Sequence, residues 1–328
     1  MSESPSLPTA SIVVSTLDRA AHLRNLLASF DQLDYPSFEV VVVNGPSTDG
    51  TEALLATYDG RIKVVRCPVA NLSRSRNTGI AAAAGELVAF IDDDALPATI
   101  DWLHGLALHL AAAPVLGGVG GPSLRGDGDD YEFCGRLVSD YGEIVSLEDA
   151  ASRGIRADGV RWAQAAQGNN CVFRREALLA IGGFDENFPY FLDETDVCFR
   201  LARCGRPVDF ARRWAVRHYN AASIYRRTWH DRRWDVMARS DAYYALKNGG
   251  DPFPGRLVRT LALVRTKFPY RQINDFYTAG EYGAPTRLRY LARWARGVTS
   301  GVRWGLTKRR RAPLDQTSHP CPFLPFHP

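Results

Sequence analysis

Short β-branched runs alternate with helical patterns over the first 125 residues. Ser11–Thr16 reads as a buried strand, and Leu23, Leu26, Leu27 and Phe30 then recur at i, i+3, i+4 and i+7, the spacing of one helix face. Glu39–Val43 repeats the strand signature. A Gly-Pro-Ser-Thr-Asp-Gly turn, a short helix over 51–58 and a strand over 62–66 follow. An Ala-rich helix is predicted over 73–84 and a fourth strand over 87–91. Strands separated by helices imply βαβ units and a mostly parallel sheet. Ligands of such sheets sit beyond the carboxyl ends of the strands, which gives weight to the polar residues placed there: Thr16, Asn44 and Asp92–Asp94.

Residues 126–165 are rich in Gly and Asp, and predict a loop or a small antiparallel ribbon over the site. A second ordered block is expected over about 166–220. From about 230 the pattern is helical and rich in Arg and Trp, and the Pro-rich tail 313–328 is expected to be disordered. The longest uncharged run, 102–124, is long enough to span a bilayer, but His104, His109, Pro114 and a Gly-Gly-Val-Gly-Gly stretch break it, so it is read as a buried helix plus a strand.

Composition narrows the class. With 328 residues, 45% hydrophobic and 23% charged, the chain is neither disordered, collagen-like nor a coiled coil. Its net charge of +4 is uneven: residues 282–314 hold nine Arg or Lys and no acid, and the remainder is mildly acidic. That is a local interaction surface, with no recognised nucleic-acid module. The six cysteines form no CxxC pair, as expected of reduced thiols in a cytosol. The first residues lack the basic and apolar regions of a signal peptide. A cytoplasmic location, at most peripheral to the inner face of the membrane, is the expectation.

Three features carry chemistry. Asp92, Asp93 and Asp94 directly follow a buried strand, where three carboxylates repel one another and lose hydration unless a cation or donors compensate. A hard divalent ion bridging to phosphates does so; a cap for the next helix is the simpler alternative. Asp193, Glu194 and Asp196 precede a helix carrying Val197, Phe199 and Leu201, where the helix dipole favours ionised carboxylates and one of them could accept a proton from a hydroxyl. N-terminal capping accounts for them equally well. His218, after an apparent strand, is either a ligand or a satisfied structural residue.

Together these features resemble the family 2 glycosyltransferases of the GT-A fold over about residues 10–225. Residues 11–19 resemble the family's opening strand and turn, and 42–51, with Asn44 and Asp49, its nucleotide-binding turn. Residues 71–79 resemble its Arg-Asn-x-Gly element, Asp92–Asp94 its DxD motif, and 168–175 with 182–185 its acceptor-side signature. Asp193–Asp196 falls on the family's Glu-Asp-x-Asp element. The resemblance implies an α/β GT-A domain over 1–225. Within it, about 10–125 would bind the nucleotide-sugar and 126–225 the acceptor, followed by a basic helical extension over 226–312. It implies that Thr16, Arg19, Asn44, Asp49, Arg76, Asp92 and Asp93 hold the nucleotide-sugar, and that Asp94, Asp92 and His218 hold Mn²⁺ or Mg²⁺. Asn169 and Asn170 would meet the acceptor. Glu194 would be the general base of an inverting single displacement, with Asp193 and Asp196 orienting acceptor or base.

Two departures qualify it. Asn44 stands where the family usually has Asp, so dTDP rivals the commoner UDP donor, and the presumed base is Glu rather than the more frequent Asp. Residues 230–234 are the nearest match to the Gln-x-x-Arg-Trp motif of processive synthases, and no spanning helix is present, which points to a non-processive enzyme. Leu288, Leu291, Ala295, Val298 and Val302 recur at helical spacing among arginines with Trp294 and Trp304 interleaved. Such a helix either docks on an anionic membrane, useful for a lipid-linked glycan acceptor, or packs on the core. Rival functions are a sugar nucleotidyltransferase, which would want a Gly-rich phosphate loop after the first strand, and a catalytically silent sugar-nucleotide-binding scaffold.

Overall fold

The computed structural model describes residues 7–126, 128–307 and 323–327. Its first part alternates as expected: β1 (Ala10–Thr16), α1 (Ala20–Ser29), β2 (Phe38–Asn44), α2 (Thr51–Ala56), β3 (Lys63–Arg66), α3 (Leu72–Ala82) and β4 (Leu87–Phe90). The middle part comprises β5 (Ala95–Pro97), α4 (Trp102–Ala112), β6 (Gly118–Gly120), β7 (Ser123–Arg125), β8 (Tyr131–Phe133), β9 (Arg136–Ser139), β10 (Ile144–Ser146) and α5 (Leu147–Ser152). It continues with β11 (Trp162–Ala165), β12 (Cys171–Arg174), α6 (Arg175–Ala180), α7 (Asp193–Arg203), β13 (Val208–Phe210) and β14 (Val216–His218). Four helices close the chain: α8 (Trp234–Asn248), α9 (Gly255–Leu263), α10 (Phe268–Thr278) and α11 (Ala284–Thr307).

Seven strands form the central sheet in the order β13-β6-β12-β4-β1-β2-β3. β1 pairs parallel with β2 and β4, and β2 with β3, while β12 runs antiparallel between β4 and β6. Side chains alternate across the sheet. Ile12, Val14, Val40 and Val42 face Leu23, Leu26, Trp102 and Leu106 of α1 and α4, whereas Val13, Val41 and Val43 face Ile80 of α3 and Val197 and Leu201 of α7. β2 is buried on both faces, which is why it reads as an unbroken valine run. The segment 126–165 is a ribbon rather than a loop. β10-β9-β11 form an antiparallel sheet, and β8 joins β5, β14 and β7. The run 102–124 is a buried helix followed by strands, and among the described residues no helix is long and apolar enough to cross a membrane.

α11 lies across α8 through glycine. A Cβ on Gly297 would stand 2.3 Å from the Asp235 carbonyl oxygen, and one on Gly301 2.4 Å from that of Arg239, so only hydrogen at these positions permits the approach. α11 seats Tyr290, Gly297 and Gly301 on the core, with Trp294 and Trp304 packed inward. The stripe read from the sequence is not that face, since Leu288 is 67% exposed and Ala295 is exposed too, as are Arg289, Arg296 and Arg303. Residues 308–322, with Lys308–Arg311 and most of the tail, lie outside the described residues. The tail's residues 323–327 depart from the expected disorder. Phe326 is buried against Phe38 and Phe30, and its amide donates to the Phe38 carbonyl at 2.8 Å, because an aromatic ring finds an apolar seat beside β2.

Candidate active site

At the carboxyl ends of β1 and β4 the chain turns into a cavity of about 530 Å³ that the ribbon and the C-terminal helices roof. Asp92, Asp93 and Asp94 leave β4 into it. Asp93 is buried, accepts from the Thr16 hydroxyl at 2.8 Å and pairs with Arg19 at 2.6 Å. The same guanidinium stands 3.2 Å from Asp94 and donates to the carbonyls of Ala221 and Ala222, tying the end of β1 to the segment after β14. Burial pushes the Asp93 carboxyl up to about 7 despite Arg19.

His218, at the end of β14, faces the same cluster. Its Nε2 is 3.4 Å from Asp94, and its Nδ1 is 2.8 Å from Glu132 on β8, which also accepts from Asn220 at 3.0 Å. Burial alone would lower the imidazole, but the Asp94 and Glu132 carboxylates outweigh it and raise His218 to about 10. That proton and Arg19, together with Arg76 beside Asp92, are the positive charges that face the acidic cluster. Asp92, Asp94 and His218 each present one ligand atom, all within 4.8 Å of one another, a set of two carboxylates and one imidazole that fits a divalent cation. Glu132 fixes the imidazole as an outer partner does in metal sites, leaving Nε2 toward the cluster.

Across the cavity, α7 begins after two consecutive non-glycine residues in left-handed backbone, Phe191 (φ 72°) and Leu192 (φ 64°). Such strain costs on the order of 1–3 kcal/mol per residue and persists only where the surroundings impose it. Here it aims the first turn of α7 at Arg76. The buried Arg76 guanidinium binds Asp193, stands 3.5 Å from Asp92 and lies 3.8 Å from Glu194, so one cation spans both acidic groups. It fits because position 168 is glycine; a Cβ there would lie 2.1 Å from Arg76 Nη2. Glu194 also has Arg136 of β9 at 3.8 Å. Burial, then the neighbouring Asp193 carboxylate, push Glu194 up to about 8. A carboxylate poised near neutrality beside an open cavity suits proton transfer.

Thr16, Arg19, Arg76, Asp92–Asp94, His218, Asn169, Asp193 and Glu194 therefore converge. Asn169 accepts from Ser123 at 2.9 Å, and its Nδ2 is buried with no partner among the described residues. Four residues expected here do not line the cavity. Asn44 is buried and bonds Glu52 and Ser47, organising the turn after β2. Asp49 accepts from the Ala20 and Thr51 amides and so braces α1 and α2. Asn170 takes the Trp102 indole and donates to the Pro122 and Trp214 carbonyls, which locks its amide in the core. Asp196 turns away to Arg200, Lys247 and Asn248, a buried structural cluster. The sequence reading missed Glu132 and Arg136, which lie in the Gly- and Asp-rich segment without periodic signal. It missed Tyr190, stacked on Tyr225 with ring centroids 4.6 Å apart, as well.

Comparisons with known proteins agree with this architecture. The family model of glycosyl transferase family 2 matches residues 11–149, and that of glycosyl transferase family 21 matches 140–268. Putative glycosyltransferase EpsH of Bacillus subtilis is 32% identical over 100 residues, covering 30% of this chain and 27% of the relative. The O-antigen biosynthesis protein RfbC of Myxococcus xanthus is 28% identical over 270 residues, covering 75% of this chain and 20% of the relative. The chain spans about a fifth to a quarter of the length of these relatives. Among solved structures, the mannosyltransferase PcManGT of Pyrobaculum calidifontis, in complex with GDP-Man and Mn²⁺, superposes with a TM-score of 0.57 at 20% identity over 92% of this chain and 88% of that one. TarS of S. aureus, in complex with UDP-GlcNAc, gives 0.52 at 17% identity over 90% and 89%. Fold and family matches agree: residues 11–149 match the family 2 glycosyltransferase model, and the chain has the GT-A fold of its solved neighbours.

Proposed function

We propose that the cavity transfers a sugar from a nucleoside-diphosphate-sugar to a hydroxyl of a glycan or lipid-linked acceptor, with inversion and one sugar per encounter. The observation that carries this is Arg76, whose single guanidinium stands within 4 Å of Asp92 on the donor side and of Glu194 on the acceptor side. The donor's diphosphate would lie at the carboxyl ends of β1 and β4, near Thr16, Arg19 and Asp93. Asp92, Asp94 and His218 would hold Mn²⁺ or Mg²⁺, as the Mn²⁺ complex of the Pyrobaculum relative also supports. The ion would act as a Lewis acid, stabilising the charge that grows on the leaving diphosphate.

Glu194 takes the proton from the acceptor hydroxyl as its oxygen attacks the anomeric carbon, and the bond from that carbon to the diphosphate oxygen breaks on the opposite face. Asp193 does not act as base, because its buried carboxylate is occupied by the Arg76 guanidinium. Asn169 Nδ2, with no acceptor among the described residues, would donate to a substrate oxygen. UDP is the first donor to test and dTDP the second; the GDP-Man and UDP-GlcNAc of the structural relatives add GDP. We further propose a cytoplasmic enzyme resting on the inner membrane face. Exposed Arg289, Arg296 and Arg303 on α11 support this, as do outward-facing Val258 and Leu261 on α9. Pelleting with anionic but not neutral vesicles tests the placement. For the chemistry, E194Q should lose about 10²–10⁴-fold in transfer with nucleotide binding intact. Unchanged turnover would exclude Glu194 as base.

A further inference from the structure

Past Glu194 the cavity continues into a compartment made by the helical part of the chain, with Phe191, Trp229, Arg232, Met237, Phe268 and Gln272 on its walls. Arg232 is only 8% exposed. Its guanidinium lies 4.6 Å from the Trp229 ring centroid and 6.0 Å from that of Phe268. Its Nε donates to the Trp229 carbonyl at 3.0 Å; the terminal nitrogens find no acceptor among the described residues, and no carboxylate there stands within 4 Å. The other buried arginines of the site and its surroundings differ: Arg19 has Asp93, Arg76 has Asp193, and Arg200 has Asp196.

A buried charge without a counter-charge is costly, and aromatic faces repay only part of that cost. Arg226 pairs with Arg232 across an isolated β-bridge and also lines the cavity, and among the described residues its guanidinium bonds Asn220 Oδ1 and the Ala221 carbonyl. Two neighbouring guanidinium groups with no carboxylate within 4 Å among the described residues, only the more distant Glu132 acting on both, call for a ligand carrying more than one negative charge, and a planar fork with free terminal nitrogens matches phosphate oxygens. The flanking Trp229, Phe268 and Phe191 rings, the last two stacked at 5.9 Å, offer an apolar wall next to that anion.

We propose that Arg232, aided by Arg226, forms a phosphate-recognising acceptor subsite whose ligand carries an apolar portion beside its phosphate. The subsite rests on the reading of the cavity as donor site plus acceptor site. It lies on the acceptor side because Phe191 leads directly into Asp193 and Glu194, whereas the acidic triad marks the donor side.

The test is calorimetric titration of the full chain, loaded with nucleoside diphosphate and Mn²⁺, with octyl phosphate below its micellar concentration, octyl glucoside and inorganic phosphate. Octyl phosphate should bind at least about tenfold tighter than either other probe, and R232Q should lose roughly 10- to 100-fold of that affinity with nucleotide affinity unchanged. R232K, which keeps the charge but not the fork, should retain part of it. Equal binding of octyl glucoside and octyl phosphate to the wild type overturns the subsite without recourse to any variant. Inorganic phosphate binding as tightly as octyl phosphate removes the apolar component. If R232Q weakens nucleotide instead, the guanidinium serves the donor diphosphate and the acceptor assignment falls. A wild type that binds no nucleotide overturns the donor-site reading separately, and the same octyl phosphate comparison of wild type and R232Q, run without nucleotide, still decides the subsite.

Discussion

Asp196 sits in the element that resembles the family's catalytic signature, yet the structure makes it a buried ion-pair partner, and D196N separates the two roles. Asp196 is fully buried and accepts from Arg200 Nε at 2.7 Å, Lys247 Nζ at 2.8 Å and Asn248 Nδ2 at 3.1 Å. Removing one partner of a buried pair costs about 3–5 kcal/mol. The lower end applies, because Arg200 still donates to the Ile181 and Gly183 carbonyls and Lys247 still holds Asp185 at 2.8 Å. At about 2–4 °C per kcal/mol, a loss of about 3 kcal/mol lowers the melting temperature by roughly 6–12 °C.

The pH dependence has a definite sign. Burial alone would raise the Asp196 carboxyl, yet Lys247 and Arg200 hold it below the ordinary carboxylate range. A lowered native pKa stabilises the fold above the unfolded value near 3.9, and that contribution fades as the pH falls. The difference between wild type and D196N should therefore be full at neutral pH and shrink below about pH 4. Thermal melts by circular dichroism across pH 3–8, with nucleotide affinity at 25 °C, provide the readout. Unchanged stability together with weakened acceptor use would refute the structural assignment.

Further outcomes follow from the same geometry. E132Q, which frees His218 Nδ1 from its 2.8 Å partner, should weaken Mn²⁺ binding by about 10–100-fold with little change in melting temperature, as read by metal titration. The kcat/KM of the free enzyme should rise with pH to a plateau above about 8, because Glu194 must lose its proton to act as base; a flat profile from pH 6 to 9 contradicts that assignment. Replacing Gly301 by Leu forces a side chain into the space 2.4 Å from the Arg239 carbonyl, and should cost at least about 1–3 kcal/mol in denaturant unfolding. An unchanged midpoint would mean that α11 does not sit on α8 in solution.

The alternation from β1 to β4 was legible because both faces of that sheet are covered by helices, so each strand is an apolar run ended by polar residues. Asp92–Asp94 and Glu194 were legible for the same reason: they stand at the ends of such elements, where side chains enter the cleft. Asp196 was not separable from Asp193, since the partners that divide them, Lys247 and Arg76, lie far away in the chain. Asn44 was misplaced because the Ser47 hydroxyl and the Glu52 carboxylate satisfy its amide locally. Glu132, Arg136 and Arg232 sit on short ribbons and turns without periodicity, and only the fold brings them to the cavity. In α11 the helix was visible but its packed face was not: Gly297 and Gly301, which seat it on α8, carry no hydrophobic signal, while Leu288 and Ala295 of the apolar stripe are exposed.

The most direct measurement is calorimetric titration of the chain with UDP, dTDP, GDP and CDP, each with and without Mn²⁺, on wild type and D94N. One nucleotide should bind tightly with Mn²⁺, lose most of its affinity without it, and behave in D94N as the metal-free wild type does. Metal-independent binding, or binding that D94N leaves untouched, would contradict a donor site built on Asp92, Asp94 and His218.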